Sequence, residues 1–141
     1  MLEPKSVLRP VTCVGVVCWR GDEVLLIRRG HPPRRGEWSI PGGKVEWGEA
    51  LAVAALRELR EETGVEAEVE GLVEVYEIIE PGFHYVLIDY VARWRDGEPK
   101  AADDADEAQF MSLDAALGAV GQDDLRDVLI RSRRRNTETQ D

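Results

Sequence analysis

Cysteine is scarce in this chain of 141 residues, which contains only Cys13 and Cys18. The two lie five residues apart in a segment with the β-branched, apolar character of a strand, where side chains at an odd spacing point to opposite faces. This arrangement argues against a disulfide between them, and the spacing is not that of a metal site. We therefore expect both cysteines to be packed in the core of a cytoplasmic protein.

Long hydrophobic runs and an excess of basic charge are also missing. No apolar segment approaches the roughly 18 residues that a membrane span needs, and residues 1–10 lack the apolar core of a signal peptide, so we expect no membrane association. The sequence has 28 acidic and 18 basic residues, a formal net charge of −10, which argues against a nucleic acid polymer as partner. One arginine cluster at residues 131–135 is the exception, and we interpret it as the charged end of a helix.

The length and the hydrophobic content of 43% fit a single domain over residues 1–141, with its core at about 8–134 and a frayed tail at 135–141. Periodicity and turn residues predict the following elements: strands at 11–19, 24–28, 44–47, 65–69, 72–79, 84–94 and 109–113, helices at 50–63, 114–119 and 123–134, and an acidic loop at 100–108. This order predicts a mixed sheet with helices on both faces.

The predicted helix at 50–63 carries Glu58, Glu61 and Glu62 at positions i, i+3 and i+4, which share one helix face. Like charges at this spacing destabilise a helix by roughly 0.2–0.5 kcal/mol per pair, and the last two also lie at the negative end of the helix dipole. A solvated acidic face is the alternative interpretation. Violations of local rules are expected at functional sites, however, and a divalent cation with oxygen ligands would relieve both penalties.

Residues 43–65 match the signature G-x5-E-x7-R-E-U-x-E-E-x-G-U, where U is aliphatic, at every specified position: Gly43, Glu49, Arg57, Glu58, Leu59, Glu61, Glu62, Gly64 and Val65. On this signature the chain resembles the Nudix hydrolases. The resemblance implies an α/β fold, namely an α/β/α sandwich with a mixed β-sheet and a loop-helix-loop signature. It also implies hydrolysis, dependent on Mg²⁺ or Mn²⁺, of the diphosphate bond in a nucleoside diphosphate linked to another moiety.

The resemblance assigns the metal ligands to the acidic helix face. Glu62 is the foremost ligand by this resemblance, Glu58 the next and Glu61 the third, and the backbone carbonyl of Gly43 is a further candidate. A diphosphate carries several negative charges, so an acidic protein can bind it only through cations. The expected cofactor is therefore Mg²⁺ or Mn²⁺, held between these glutamates and the phosphate oxygens.

Further catalytic residues are implied around this face. Arg57 is expected to orient a glutamate, because it is adjacent to the cluster and always charged, and Glu49 to support the ligand set or add to it. The resemblance implies that the general base, or another ligand, comes from the loop before the last strand. Counting back from residues 110–113 favours Asp104 or Glu107, with a solvated loop acid as the alternative for each.

Candidates for substrate binding lie outside the signature. Arg28 and Arg29 flank the signature loop and are candidates for phosphate contacts, as are Arg34 and Arg35. Phe83 and Tyr85 are candidates for stacking on a base, although an aromatic residue in a strand is more often part of the core. Pro81, sixteen residues after Val65, resembles the marker of the ADP-ribose-cleaving members, and a simple Pro-Gly turn is the alternative.

These observations favour hydrolysis of ADP-ribose, or a similar nucleoside diphosphate sugar, to AMP and a sugar phosphate. A pyrophosphohydrolase of (d)NTPs, of the nucleotide-sanitising type, is the alternative within the class. A Nudix-like domain that senses a nucleotide without cleaving it is the alternative of another class. The expected partner is the small-molecule substrate, and ADP-ribose-cleaving relatives also suggest a homodimer.

Overall fold

A computed structural model describes residues 8–32 and 34–140, the last five of these in backbone only. Residues 1–7, 33 and 141 lie outside the described part, and with them most of the N-terminal segment in which no signal peptide is expected. The elements in chain order are β1 Val11–Arg20, β2 Glu23–Arg29, β3 Trp38–Ser39, β4 Gly42–Lys44, α1 Leu51–Thr63, β5 Glu66–Glu80, β6 Phe83–Asp96, β7 Ala105–Ser112, α2 Leu113–Ala119 and α3 Asp123–Gln140.

The strands form one seven-stranded mixed sheet. Its main path runs β3-β2-β1-β6-β5, with β4 paired to β1 and β7 paired to β2. Strand β1 is parallel to β6 and antiparallel to β2 and β4. The long strands β5 and β6 form an antiparallel hairpin at one edge of the sheet.

Helices cover both faces of the sheet, so that the protein has one core on each face. Successive side chains of β1 point to opposite faces and therefore alternate between the two cores. Val17 and Trp19 belong to a core shared with α2 and α3, whereas Val14, Val16 and Cys18 belong to a core shared with α1. The predicted α/β/α sandwich with a mixed sheet is confirmed.

The two cysteines are free and buried, as the sequence predicted. Burial raises the pKa of the Cys18 thiol to about 12 and also raises that of Cys13. Neither thiol is therefore ionised near neutral pH. None of the helices in the described part of the chain is long and apolar enough to cross a bilayer.

Several predicted elements are wrong in extent. The strand expected at 44–47 is β4, Gly42–Lys44, because the glycine backbone can approach β1 closely: a Cβ on Gly42 would lie 2.2 Å from the Val14 carbonyl oxygen. The strands expected at 65–69 and 72–79 are one continuous strand, β5, whose pairing with β6 shifts register near Gly71 instead of breaking. Helix α3 continues past its predicted end to Gln140; the frayed tail stays a prediction.

The acidic loop predicted at 100–108 is shorter than expected, because β7 begins at Ala105. Strand β7 pairs with the whole length of β2, and this ladder places the acidic residues Asp106 and Glu107 in a strand. Glu107 lies opposite Arg28 in the ladder, and the two side chains form an ion pair with 3.0 Å between Nε and Oε2. Pairing with a neighbouring strand therefore overrides the low strand propensity of this acidic segment.

Candidate active site

The C-terminal half of α1 brings two glutamates against the backbone of β4. Helix α1 buries Ala54, Ala55 and Leu59 against the sheet, and it ends at Thr63, followed by Gly64 with a positive φ of 74°. Glu62 is therefore carried inward, to 4% exposure, although its side chain is an acid. A glycine at the helix end thus fixes where the acidic face stops.

Two glycines of β4 lie in contact with these glutamates. The backbone N–H of Gly42 donates a hydrogen bond of 2.8 Å to Oε1 of Glu62. A Cβ on Gly43 would lie 2.3 Å from Oε2 of Glu58, so only glycine leaves room for that carboxyl. The close contact explains why the signature begins with glycine at residue 43.

Arg57 is the centre of the acidic cluster. It donates from Nε to Glu49 Oε2 at 2.7 Å and from Nη2 to Glu49 Oε1 at 2.9 Å. Its Nη1 donates to Oε1 of Glu58 at 2.7 Å and to Oε1 of Glu61 at 3.0 Å, and Nη2 also donates to the carbonyl oxygen of Lys44 at 3.1 Å. One guanidinium thus orients three carboxylates and the strand that faces them.

The environment disfavours negative charge on the inner glutamates. Burial, helped by the nearby charges of Glu58 and Asp104, raises the pKa of Glu62 to about 8 against the opposing hydrogen bond from Gly42. Burial also raises the pKa of Glu58, although Arg57 opposes this. Buried acids that repel one another are the groups that a bound cation would stabilise.

The acidic cluster forms part of the wall of a cavity of about 660 Å³. Glu58, Glu61, Glu62 and Arg57 line it, together with Gly43. A cavity of this size is in the usual range for small-molecule sites. The predicted metal-ligand candidates therefore meet at one accessible site.

The two candidate bases are separated by the structure. Asp104 lines the cavity, and its charge acts on both Glu58 and Glu62. Its backbone carbonyl accepts a hydrogen bond of 2.7 Å from Gly30, which fixes the loop beside β2. Glu107 instead pairs with Arg28, and neither is among the described residues that line the cavity. The geometry thus favours Asp104.

The candidates for substrate binding also divide into residues that line the cavity and residues that do not. Arg29 and Arg34 line the cavity, and Arg34 also forms an ion pair of 2.9 Å with Glu80. Phe83 and Tyr85 line the cavity as a stacked pair, with 4.8 Å between ring centroids. Other residues that line the cavity were not predicted from the sequence: Gln122, Leu125, Tyr76 and Asp89. A lone aspartate in the apolar run of β6 was the one available signal for the last of these.

The residues present fit a hard divalent cation by their chemistry. Carboxylate oxygens are ligands that Mg²⁺ and Mn²⁺ prefer, and Glu58, Glu61 and Glu62 offer them in the cavity wall beside Gly43. Within residues 8–32 and 34–140, no three acidic, His or Cys side chains are already arranged as a metal site. Arg57 and the Gly42 N–H hold these carboxylates in place through hydrogen bonds.

The sequence of this chain is similar to one known domain family and to characterised proteins. The NUDIX domain family matches residues 9–131. An ADP-ribose pyrophosphatase of Methanocaldococcus jannaschii is 38% identical over 108 residues, which cover 75% of this chain and 64% of that protein. An 8-oxo-(d)GTP phosphatase of Mycolicibacterium smegmatis is 33% identical over 140 residues, which cover 92% of this chain and 43% of that protein.

A solved structure extends the likeness to the whole fold. The MutT NUDIX hydrolase from Burkholderia pseudomallei superposes with a TM-score of 0.76 at 30% identity, covering 88% of this chain and 98% of that one. This chain spans less than two thirds of the length of the two curated relatives.

Proposed function

The chain belongs to the Nudix family, and from this premise we propose that it is a single Nudix domain that hydrolyses the diphosphate bond of a nucleoside diphosphate linked to another moiety. The observation that carries the proposal is the placement of Glu58 and Glu62 against Gly43 and Gly42 in the cavity wall. Burial of acids in this way costs free energy of folding, but their carboxylates are suitable ligands for a cation that also binds phosphate.

We assign the metal ligands to Glu58, Glu61, Glu62 and the Gly43 carbonyl, with Mg²⁺ or Mn²⁺ as the ion. When bound, the ion supplies neutralisation of phosphate charge and a lowered pKa of a coordinated water.

Side chains of the protein orient the ligand glutamates, and one of them accepts a proton. Arg57 holds Glu58 and Glu61 in place, and Glu49 in turn orients Arg57 through two hydrogen bonds. Asp104 lines the cavity beside the ligand cluster, and we assign it as the general base that accepts a proton from the attacking water. Arg29 lines the same wall and supplies positive charge for a phosphate.

We propose ADP-ribose, or a similar nucleoside diphosphate sugar, as the substrate, with AMP and a sugar phosphate as products. The relative at 38% identity is an ADP-ribose pyrophosphatase, which supports this choice. The cavity also has an aromatic side, formed by Phe83 and Tyr85, on which a base can stack. Pro81 gives little support, because it occupies the β5–β6 hairpin turn that explains it without a substrate.

An 8-oxo-nucleotide phosphatase is the second candidate. A relative with this activity matches 92% of the chain, more than the ADP-ribose pyrophosphatase covers. A nucleotide sensor without activity is the candidate of another class. The complete set of glutamates, oriented by Arg57, speaks against a sensor, because binding alone needs no such cluster.

Turnover of ADP-ribose and of 8-oxo-dGTP with Mg²⁺, with products identified by chromatography, tests the proposal. Removal of the metal with EDTA should abolish turnover. Glu62→Gln and Glu58→Gln should lower kcat on the order of 100-fold or more, because metal-ion stabilisation of the transition state is several kcal/mol.

The matched control is Glu66→Gln, which changes an exposed glutamate paired with Arg60 away from the cavity. Its kcat should equal that of the wild type. Turnover in Glu62→Gln at the wild-type rate would overturn the metal-ligand assignment. Nucleotide binding without any metal-dependent turnover would identify a sensor.

A further inference from the structure

Asp89 is a buried acid at the middle of the sheet. It lies on β6 at 1% exposure, directly opposite Gly15 of β1 and Glu74 of β5 in the strand ladders. Its neighbour on the same face of β6 is the buried Val91, so an apolar side chain would be the ordinary choice here. The carboxyl needs a glycine beside it, because a Cβ on Gly15 would lie 2.3 Å from Oδ1 of Asp89.

The carboxyl of Asp89 is only half satisfied. The Tyr76 hydroxyl forms a hydrogen bond with it, whereas Oδ2 has no hydrogen-bond partner within the described part of the chain. Burial raises the pKa of Asp89 to about 7. An unpaired buried polar atom is costly, and a purely structural pair with Tyr76 does not account for the second oxygen.

Asp89 lies in the wall of the same cavity as the acidic cluster, but in a different part of it. Its lining neighbours include Tyr76 and Leu87 in the hairpin, Ile40 after β3 and Leu125 of α3. Mostly apolar walls with one polar group are typical of a pocket that fixes the orientation of a flat, partly polar ligand group. The acidic part of the cavity suits the phosphates, so this part is left for the base.

We propose that Asp89 is a specificity-determining residue whose Oδ2 accepts a hydrogen bond from an N–H group on the edge of the purine base. This inference rests on the proposed function, because it requires a nucleotide in the cavity. The chemistry follows from the partner: the Tyr76 hydroxyl donates to one carboxylate oxygen, and an ionised carboxylate can only accept at the other. A site built to bond such a group discriminates strongly against a base that lacks it.

Equilibrium binding by calorimetry at pH 8.5 tests the proposal, using AMP, purine riboside 5′-monophosphate, which lacks the 6-amino group, and GMP. Wild type should bind AMP about tenfold or more tightly than the analogue without the amino group. In Asp89→Asn, Tyr76 should donate to the amide oxygen, so that an NH₂ group meets the base and the preference is lost or reversed. In Asp89→Leu the two nucleotides should bind equally.

The ratio of the two affinities is compared within each protein, so a general loss of stability cancels. A strong dependence of GMP binding on Asp89, with none for AMP, would support the acceptor role and identify guanine as the base. Equal binding of AMP and its analogue by wild type without such GMP dependence, an unchanged ratio in both variants, or no binding of any nucleotide would overturn the inference.

Hydrolysis separates this inference from the proposed function. Discrimination in binding without metal-dependent turnover would leave Asp89 as the base contact of a sensor and overturn the proposed activity. Turnover of ADP-ribose without discrimination would overturn the role of Asp89 alone.

Discussion

Arg57 and Glu49 form a bidentate ion pair, with distances of 2.7 Å from Nε to Oε2 and 2.9 Å from Nη2 to Oε1. The remaining donor, Nη1, contacts Glu58 and Glu61. This use of the guanidinium fork requires a planar group with donors in fixed directions, which lysine does not have. The pair therefore fixes the position of the signature loop relative to the face of α1 that carries the metal-ligand candidates.

Arg57→Lys should keep the charge but lose this geometry. We expect a loss of stability of about 1–3 kcal/mol, because charge-assisted hydrogen bonds to partly buried acids are broken. We also expect a fall in kcat of about tenfold to 100-fold, the usual effect of disturbing the residues that orient metal ligands. Thermal unfolding and steady-state turnover with Mg²⁺ measure the two effects.

Arg60→Lys is the matched control for this change. Arg60 lies on the same helix and also pairs with a glutamate, Glu66, but both side chains are about half exposed. Exposed pairs contribute little, so stability should change by less than about 1 kcal/mol and kcat should not change. Equal effects of the two substitutions would contradict the special role of Arg57.

Gly43→Ala should displace Glu58 without unfolding the protein. The added Cβ would lie 2.3 Å from Oε2 and 2.5 Å from Cδ of Glu58, and the flexible end of the glutamate can move away. Mg²⁺ affinity, measured by calorimetry, should fall at least about tenfold, because the ligand position is lost. Gly118→Ala is the control: it adds a methyl group to open space in α2 and should stabilise by up to about 1 kcal/mol with unchanged Mg²⁺ affinity.

The sequence predicted those parts of the site that depend on local patterns. Helix α1 begins one residue after its predicted start and ends as predicted, because helix-forming residues and Gly64 define it locally. The choice between Asp104 and Glu107 could not be made, because it depends on where β7 starts to pair with β2. For Asp89 the sequence offered a lone aspartate in an apolar run, but its surroundings depend on Gly15, which lies on a strand distant in sequence.

Ser132→Ala tests how α3 is held on the sheet. Trp19 Nε1 donates a hydrogen bond of 3.0 Å to Ser132 Oγ, and both residues are completely buried. The substitution leaves the indole N–H unpaired, so we expect a loss of about 1–3 kcal/mol in the free energy of unfolding. The same change at Ser112, the N-cap of α2, should cost about 1 kcal/mol. Denaturant unfolding measures both, and a smaller loss at Ser132 than at Ser112 would contradict the expectation.

Asp89 should make the stability of the protein depend on pH. Burial raises its pKa from 3.8 to about 7. Between these two values the unfolded chain releases the proton while the folded protein keeps it. The free energy of unfolding therefore falls as pH rises through this window, by at most about 1.4 kcal/mol per pH unit, and its contribution levels off above pH 7.

Asp89→Asn removes this titration, so the melting temperature of the variant minus that of wild type should rise between pH 5 and pH 8. The charged and titratable neighbours are Tyr76 and Glu74 on β5, with Asp124 of α3 acting on Tyr76; Gly15 on β1 contributes none. Because burial and these acids raise the pKa of Tyr76, its hydroxyl stays neutral throughout this range and does not obscure the result. Scanning calorimetry of both proteins across the range measures the difference, and a constant or falling difference would show that Asp89 is ionised in the fold at pH 5.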